Sequence, residues 1–291
     1  MSKQPSTFSL QLSTNDVKSL VITGFGINCE IEMGAAYKNT GADVTICHFN
    51  ELINGTYNLQ DFDILNFPGG FSFGDDIASG KVMANKIKYK KMANGRTFIE
   101  EIEAFIANGK YILGVCNGFQ IMTQLGLLPN TQGNFEPEAA LIHNDSQQFE
   151  DRWVHCKINA DNKSPFLKGI DVLALPVRHG EGKLVFKNDD IKQKVIENNQ
   201  IALQYADADG NITDKYPLNP NGSVMSIAGL TDPTGQVFGL MPHPEAFLSF
   251  YNHPDWPKMK QNGQELPREL TGQIIFDNIV GTKNFSSQIE N

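Results

Sequence analysis

The sequence predicts an α/β protein with an open, mostly parallel sheet and helices on both faces. Strand-length apolar segments alternate with helical segments over residues 19–126, and this alternation is typical of a parallel sheet. Glycine-rich loops follow several of these strands. From residue 128 onward the apolar runs are shorter and are separated by turn residues, so we also expect a smaller antiparallel β portion in the second half.

The first half supplies the parallel part of this sheet. Strands are expected at residues 19–23, 42–49, 63–67 and 111–115. Helices are expected at residues 30–40, from residue 76 onward and at 97–108, with Gly41 and Gly109 as stop signals. Because ligands bind at the carboxyl ends of parallel strands, the glycine loops that follow these strands should build half of a site.

The second half is predicted to be richer in strands and turns. Strands are expected at residues 153–158, 172–176 and 201–205, and KYPLNPNGS at residues 215–223 is a loop. Two further strands, at residues 224–230 and 236–241, should form a hairpin around the turn sequence TDPTG. A final helix is expected at residues 272–280, ended by Gly281.

Length and composition restrict the class of protein. With 291 residues, of which 40% are hydrophobic and 20% charged, the chain can bury an extensive core. We expect a polar tail at residues 1–16 and a single domain at residues 17–291. The net charge of −9 gives no electrostatic reason to expect nucleic acid or an anionic membrane as a partner. The N-terminus lacks the apolar core of a signal peptide, so a cytoplasmic location is expected.

Cys116 lies at a predicted strand-to-helix elbow, KYILGVCNGFQIMTQLG. Gly114 and Gly118 stand two residues before and after it, which lets the chain turn sharply without Cβ clashes and presents the thiol above the sheet. The following helix would favour the thiolate through its free N–H groups. A buried structural cysteine is the alternative interpretation. The other three cysteines are widely spread without metal-ligand spacing, so reduced thiols and no metal site are expected.

A cysteine nucleophile needs a base, and the base needs an orienting group. In MPHPE, the flanking prolines should keep His243 extended, so that His243 and Glu245 face the same side. A loop histidine beside a surface glutamate is the simpler reading. His179 in PVRHGEGK is the rival base, because Glu181 also lies two residues after it.

Acyl chemistry at a thiolate also requires donors for an oxyanion. The Asn117 N–H at the helix start is one candidate. Gly70, on the loop after the third strand, is the other, because a bare backbone can approach the reacting carbonyl. The alternatives for this loop are a simple tight turn or a phosphate cradle, although no GK[ST] follows.

Two other features have simpler explanations. Gly24, Gly26 and Cys29 resemble a dinucleotide fingerprint, but a cysteine occupies the third glycine position. We also disfavour Cys29 as the nucleophile, because Glu30 lies beside it and no glycine follows at the elbow spacing. The lysine-rich segment 81–96 is interpreted as a solvated helix face, with a docking surface for an acidic partner as the alternative.

The motifs NFPGGFSFGDD, GVCNGFQ, PVRHGEGK, NPNGS and MPHPE, in this order, resemble the class I, or triad, glutamine amidotransferases. Within that class the chain is similar to the glutaminase subunits of phosphoribosylformylglycinamidine synthases, enzymes of purine biosynthesis. The resemblance covers residues 19–276 and implies a flavodoxin-like fold. The order of the motifs is far more specific than GxCxG alone.

The resemblance implies a role for each matching residue. Cys116 would be the nucleophile, His243 the general base and Glu245 its orienting carboxylate. The implied oxyanion donors are the Gly70 and Asn117 amides. The implied residues of the glutamine pocket are Gly69, Phe71, Gln120, Arg178 and His179.

The resemblance also implies partners and cofactors. No cofactor is expected in this chain, whereas ATP and Mg²⁺ are expected in a partner synthetase that receives the ammonia, and a small third subunit would bridge the two. Ala246 stands where the family usually has arginine, which puts that arginine's contact in doubt. Segments 81–96 and 253–267 are longer than the family pattern, and we hypothesise that they modify subunit contacts.

Other functions fit parts of the pattern. A peptidase-like cysteine hydrolase could use the same scaffold, and a glutaminase could serve a different synthetase, because the triad does not specify the acceptor. A regulatory subunit without catalysis is a third possibility, and the intact triad residues argue against it.

Overall fold

The computed structural model describes residues 17–75 and 77–289, with side chains described as far as residue 282. The predicted tail at residues 1–16 and Asp76, where the second helix was expected to begin, lie outside the described residues. In the described ranges no helix combines the length and apolarity needed to cross a membrane.

Strands and helices alternate through the first half of the described chain. The strands are β1 Lys18–Thr23, β2 Asp43–His48, β3 Ile64–Phe67, β4 Tyr111–Val115, β5 Ala139–Ile142, β6 Glu150–Ile158, β7 Val172–His179, β8 Lys183–Phe186, β9 Ile201–Ala206, β10 Ile227–Thr231 and β11 Val237–Leu240. The helices are α1 Glu30–Lys38, α2 Phe49–Ile53, α3 Lys81–Tyr89, α4 Phe98–Ala107, α5 Asn117–Leu125, α6 Asp189–Glu197, α7 Trp256–Gln261 and α8 Gln273–Ile289.

Nine of the described strands form one mixed sheet in the order β2-β1-β3-β4-β11-β10-β9-β6-β7. The pairs from β2 to β11 are all parallel, and the pairs from β11 to β7 are all antiparallel. Strands β5 and β8 form a separate antiparallel pair. The predicted fold class, a mostly parallel sheet with a smaller antiparallel portion, is therefore confirmed.

The core lies on both faces of the parallel strands. All four residues of β3 are buried, as expected for a strand covered on both sides. Helices α1 and α8 pack together, with the rings of Tyr37 and Phe276 in edge contact at 5.0 Å. Helices α3, α4 and α5 form a second packed group. Thr97 caps α4 and Glu100 completes the capping box, which explains why this helix begins where the sequence predicts.

Some element predictions were wrong. Helix α8 continues past Gly281 to Ile289, because Gly281 does not adopt the left-handed backbone that ends a helix. The second half also contains β5, β8, α6 and α7, which were not predicted. The hairpin is present as β10 and β11, but residues 224–226 form a 3-10 turn instead of the start of a strand.

The lysine-rich segment is less solvated than predicted. Lys81 donates to Gln124 Oε1 at 3.1 Å, and Lys88 pairs with Glu136 at 3.7 Å. The Lys86 ammonium lies 5.2 Å from the ring centre of Phe25. Several of these lysines therefore hold α3 against the rest of the chain. The hypothesis that this segment contacts a partner stays a prediction.

Candidate active site

The parallel strands bring the predicted site loops to one edge of the sheet. β1, β3 and β4 are neighbours, as expected, so the loop at Gly69 and Gly70 lies beside the Cys116 elbow. The unexpected neighbour is β11, which pairs in parallel with β4, so that the Cys116 N–H donates to Leu240 O at 2.8 Å. The PHPE segment follows β11 directly. The sheet therefore carries His243 to the edge where Cys116 stands.

Cys116 occupies a strained elbow. Its φ of 51° and ψ of −106° are unusual for a residue with a side chain, and α5 begins at the next residue. The flanking glycines are required by close contacts: a Cβ on Gly118 would overlap the Phe67 carbonyl, and one on Gly114 would overlap Met122 Sδ. The side chain is only 5% exposed in this arrangement. The predicted nucleophile elbow is therefore present.

We predict that Gly118→Ala destabilises the protein by about 1 to 3 kcal/mol, the usual cost of overpacking. The reason is that the new methyl group can be accommodated only if α5 moves away from β3. Gly281→Ala is the matched control, because a Cβ there meets nothing within 4 Å and alanine favours the helix. Urea unfolding of both variants checks this, and a Gly118→Ala variant as stable as the wild type would contradict it.

His243 and Glu245 form a buried pair. His243 Nδ1 lies 2.6 Å from Glu245 Oε1, and the two residues are each 2% exposed. The predicted pairing is present, although Pro244–Ala246 is a 3-10 turn instead of an extended segment. Proline suits the first position of such a turn, where its missing N–H costs nothing. The short carboxylate contact places the proton on Nδ1 and leaves Nε2 as the nitrogen for chemistry.

The second ring nitrogen of His243, Nε2, is the one suited to proton transfer with Cys116. Burial disfavours the charged ring, but the Glu245 carboxylate and the Cys116 side chain outweigh it and raise the pKa of His243 well above its ordinary value. Nε2 is buried and has no hydrogen-bond partner among the described residues. A cationic imidazole beside a thiol is the arrangement that activates cysteine nucleophiles. Contacts of this kind commonly tighten when substrate binds.

Strand β7 reaches the site from the far edge of the sheet. The His243 N–H donates to Pro176 O at 2.8 Å, and the Cys116 thiol donates to Arg178 O at 3.6 Å. The Arg178 side chain is exposed, so its backbone is the part that contacts Cys116. His179 follows immediately and is buried. The predicted pocket residues Arg178 and His179 are thus brought next to Cys116.

His179 is not a base paired with Glu181. Its Nδ1 lies 3.2 Å from Asn144 Oδ1, which also accepts from the Gly182 N–H at 3.0 Å. Because that oxygen can only accept, Nδ1 carries a proton. Burial, together with the nearby His243, lowers the pKa of His179 to about 3, so the ring is neutral near pH 7. The carboxylate of Glu181 instead accepts from the Ser79 N–H at 3.2 Å.

We predict that His179 makes the protein less stable in acid. Its native pKa of about 3 lies below the ordinary value of 6.5, so between these values only the unfolded chain binds the proton. Stability should therefore fall as the pH drops from 6.5, by about 2 kcal/mol between pH 7 and pH 5 from this group alone. The free energy of unfolding, measured in urea at pH 7 and pH 5, should depend less on pH in His179→Asn than in the wild type. The exposed-site variant His143→Asn should keep the wild-type pH dependence. An unchanged dependence in His179→Asn would count against this assignment.

The two candidate oxyanion donors come from the start of α5 and from the loop after β3. Asn117 is the first residue of α5, so its N–H has no hydrogen-bond acceptor within the helix. The Gly70 N–H makes no hydrogen bond to any other described residue. The Asn117 side chain fixes the two loops relative to each other, because its Oδ1 accepts from the Ser72 N–H at 3.2 Å. A role for these two N–H groups as oxyanion donors stays a prediction.

The remaining predicted pocket residues have different surroundings. Gln120 is buried and donates to Glu181 O at 2.6 Å, so its side chain ties α5 to the HGEG loop. Phe71 is 46% exposed, and its ring centre lies 6.2 Å from that of Phe149. Gly69 packs against the His243 ring, since a Cβ there would lie 2.7 Å from Cε1. A role for these residues in binding glutamine stays a prediction.

Sequence reasoning missed several contacts at the site. Asn144 accepts from the Gly182 N–H in the HGEG loop, Ser79 donates its N–H to Glu181 in the same loop, and Ser223 of NPNGS donates to Gly182 O at 3.2 Å. The only sequence signal for these contacts was the presence of polar motifs in predicted loops. Their pairing depends on the tertiary fold.

Cys29, which the sequence disfavours as the nucleophile, also lies at the site. Its Sγ, a ring nitrogen of His243 and a carboxylate oxygen of Glu245 all lie within 4.8 Å of one another. Burial raises the pKa of the Cys29 thiol, and its backbone, with φ of −103°, lacks the strain of an elbow. Cys116 therefore remains the better candidate for the nucleophile.

Comparisons with known proteins address the family of this chain. Residues 16–281 match the family described as CobB/CobQ-like glutamine amidotransferase domain. The chain is 44% identical over 271 residues to phosphoribosylformylglycinamidine synthase subunit PurQ of Methanococcus maripaludis, covering 90% of this chain and 96% of that protein. It is 36% identical over 277 residues to phosphoribosylformylglycinamidine synthase of Drosophila melanogaster, covering 93% of this chain but 20% of that protein.

Among solved structures, the fold is similar to a chain in the structure of PurLQS from Thermotoga maritima. The TM-score is 0.66 at 26% sequence identity, and the alignment covers 92% of this chain and 99% of that one. The family match spans nearly all of the described residues, including the elbow and the PHPE segment. The chain therefore belongs to the family of CobB/CobQ-like glutamine amidotransferase domains.

Proposed function

We propose that this chain is the glutaminase subunit of a phosphoribosylformylglycinamidine synthase. The observation that carries the proposal is the buried His243 and Glu245 pair, with Nδ1 and Oε1 2.6 Å apart, beside the elbow cysteine Cys116. The names of the M. maripaludis and D. melanogaster relatives support the choice of synthase. The proposed reaction converts glutamine and water to glutamate and ammonia.

In the first half of the reaction, the Cys116 thiolate attacks the side-chain carbonyl carbon of glutamine. The carbonyl oxygen becomes an oxyanion, and the Gly70 and Asn117 N–H groups donate to it. As the C–N bond breaks, protonated His243 gives its proton to the departing nitrogen, which leaves as ammonia. A glutamyl thioester remains on Cys116. Loss of one oxyanion donor typically costs about 3 to 4 kcal/mol of transition-state stabilisation.

In the second half, water replaces ammonia. Neutral His243 takes a proton from water through Nε2 as the oxygen attacks the thioester carbon. The C–S bond then breaks, and glutamate leaves while the thiolate is restored next to the imidazolium. Glu245 stays ionised throughout, because its role is to hold the tautomer and stabilise the charged ring.

The ammonia would pass to a partner subunit. We propose that the partner is the synthetase that converts formylglycinamide ribonucleotide to formylglycinamidine ribonucleotide with ATP and Mg²⁺, and that a small third subunit bridges the two. The similarity to a chain of PurLQS supports a complex of this kind. A cytoplasmic location fits a purine biosynthesis enzyme and is part of the same proposal.

Glutamate release by the chain alone, and by the chain mixed with its co-purified synthetase, tests the proposal. We expect hydrolysis of glutamine but not of peptide substrates, and we expect diazo-oxo-norleucine to label Cys116. A peptidase-like hydrolase would cleave the peptides instead. A regulatory subunit without catalysis would show neither hydrolysis nor labelling in the assembled complex. Co-purification of a different synthetase would overturn the choice of acceptor but leave the glutaminase intact.

A further inference from the structure

Three side chains with different donor atoms converge at the back of the active site. Cys29 precedes α1, whereas His243 and Glu245 follow β11, and the fold places one donor atom of each within 4.8 Å of the other two. In a tetrahedral zinc site, bond lengths of about 2.0 to 2.3 Å put ligand atoms about 3.3 to 3.7 Å apart. The donors therefore lie within about 1 Å of the spacing that a shared ion requires.

Glu245 also has an unused buried atom. Its Oε2 has no hydrogen-bond partner among the described residues, although it is shielded from solvent. Buried polar atoms in folded proteins usually have a partner, so an unpartnered one points to a ligand. A cation can reach this group from solvent at Cys29, because Cys29 is only partly buried. The other two residues are each 2% exposed.

We propose that Cys29, His243 and Glu245 form an inhibitory site for a thiophilic divalent cation of the zinc type. A sulfur, an imidazole nitrogen and a carboxylate oxygen together suit Zn²⁺, whereas Mg²⁺ and Ca²⁺ prefer oxygen ligands alone. As the metal binds, the Cys29 thiol releases its proton to solvent and the His243 ring gives up the proton on Nδ1. Water completes the coordination.

A cation at this site blocks catalysis because it takes the ring nitrogen that faces Glu245. When it binds Nδ1, it breaks the 2.6 Å contact with Glu245 that orients the ring. The inhibitory consequence rests on the proposed glutaminase reaction, whereas binding of the cation does not.

The direct test is Zn²⁺ titration of the full chain carrying Cys116→Ala, which removes the nucleophile as a ligand. We expect one Zn²⁺ per chain. Adding Cys29→Ser should weaken Zn²⁺ binding at least tenfold, because loss of a residue that only hydrogen-bonds a metal ligand already costs about tenfold or more. Cys47→Ser in the same background is the control, because Cys47 is buried in β2 away from these donors. Equal affinity with and without Cys29, or no binding once Cys116 is removed, would overturn the site.

Two further measurements guard against a folding artefact. Co²⁺ bound to the Cys116→Ala chain should show thiolate-to-metal charge-transfer absorption, and Cys29→Ser should remove it. Glu245→Gln in the same background should weaken Zn²⁺ binding while keeping that absorption, because the sulfur ligand remains. Absorption that persists without Cys29 would contradict the assignment.

The inhibitory step has its own readout. Zn²⁺ should inhibit glutamine hydrolysis by the chain with intact Cys116, and Cys29→Ser should raise the concentration for half-inhibition at least tenfold relative to Cys47→Ser. Binding without inhibition would overturn the inhibitory role but keep the metal site. Absence of glutaminase activity before zinc is added would count against the proposed function and leave the binding result to stand alone.

Discussion

Replacing Cys116 with alanine should lower the rate of glutamine hydrolysis by roughly 10⁴-fold or more, because removal of a covalent nucleophile leaves only the oxyanion donors and substrate binding. The elbow itself should survive, since alanine has the smaller side chain and the flanking glycines are unchanged. Glutamate release in the presence of the co-purified synthetase, with glutamine saturating, is the measurement.

The matched control for this variant is Cys47→Ala, which also removes a buried thiol but leaves the site untouched. We expect it to keep the wild-type rate and diazo-oxo-norleucine labelling. Ammonia supplied directly to the Cys116→Ala complex should still be used by the synthetase, because only the glutaminase step is lost. A Cys116→Ala variant within tenfold of the wild-type rate would exclude Cys116 as the nucleophile.

Glu245→Gln should lower kcat by about 10⁴-fold with little change in KM, the effect seen when the equivalent carboxylate of a triad is replaced by its amide. The buried carboxylate raises the pKa of His243 against the opposing effect of burial. The neutral amide removes that effect and can donate to Nδ1, which would place the ring proton on the wrong nitrogen. The variant should also react slowly with diazo-oxo-norleucine.

Glu269→Gln provides the control for the same chemical change at an exposed position. It should leave both kinetic constants at the wild-type values. A pH profile of kcat/KM adds an independent readout, because loss of the carboxylate should move the limb assigned to His243 to lower pH. A loss smaller than tenfold in Glu245→Gln would show that His243 is oriented by other contacts.

Local signals in the sequence predicted much of the fold. The parallel strands at the start of the chain were predicted because their apolar runs are bounded by glycine loops, and β4 was predicted residue for residue. The helix predicted at residues 97–108 is present as α4, and the structure adds the capping box of Thr97 and Glu100 at its start. Elements such as α6 and β8 were missed because turn residues obscure their short apolar patterns.

The sequence by itself determined the chemical groups of the candidate site. Glycines two residues to either side of Cys116 are a local steric requirement of the elbow, and the spacing of His243 and Glu245 lets one side chain reach the other. Both are short-range features of the chain, so the residue order alone indicates them.

Only the tertiary structure decided which groups meet. The pairing of β11 with β4 brings His243 beside Cys116, and the return of β7 adds Arg178 O to the same site. The fold also places Cys29 against His243, although its spacing in the sequence suggested no role. Contacts between distant segments depend on strand order and loop packing, which leave no periodic signal in the sequence.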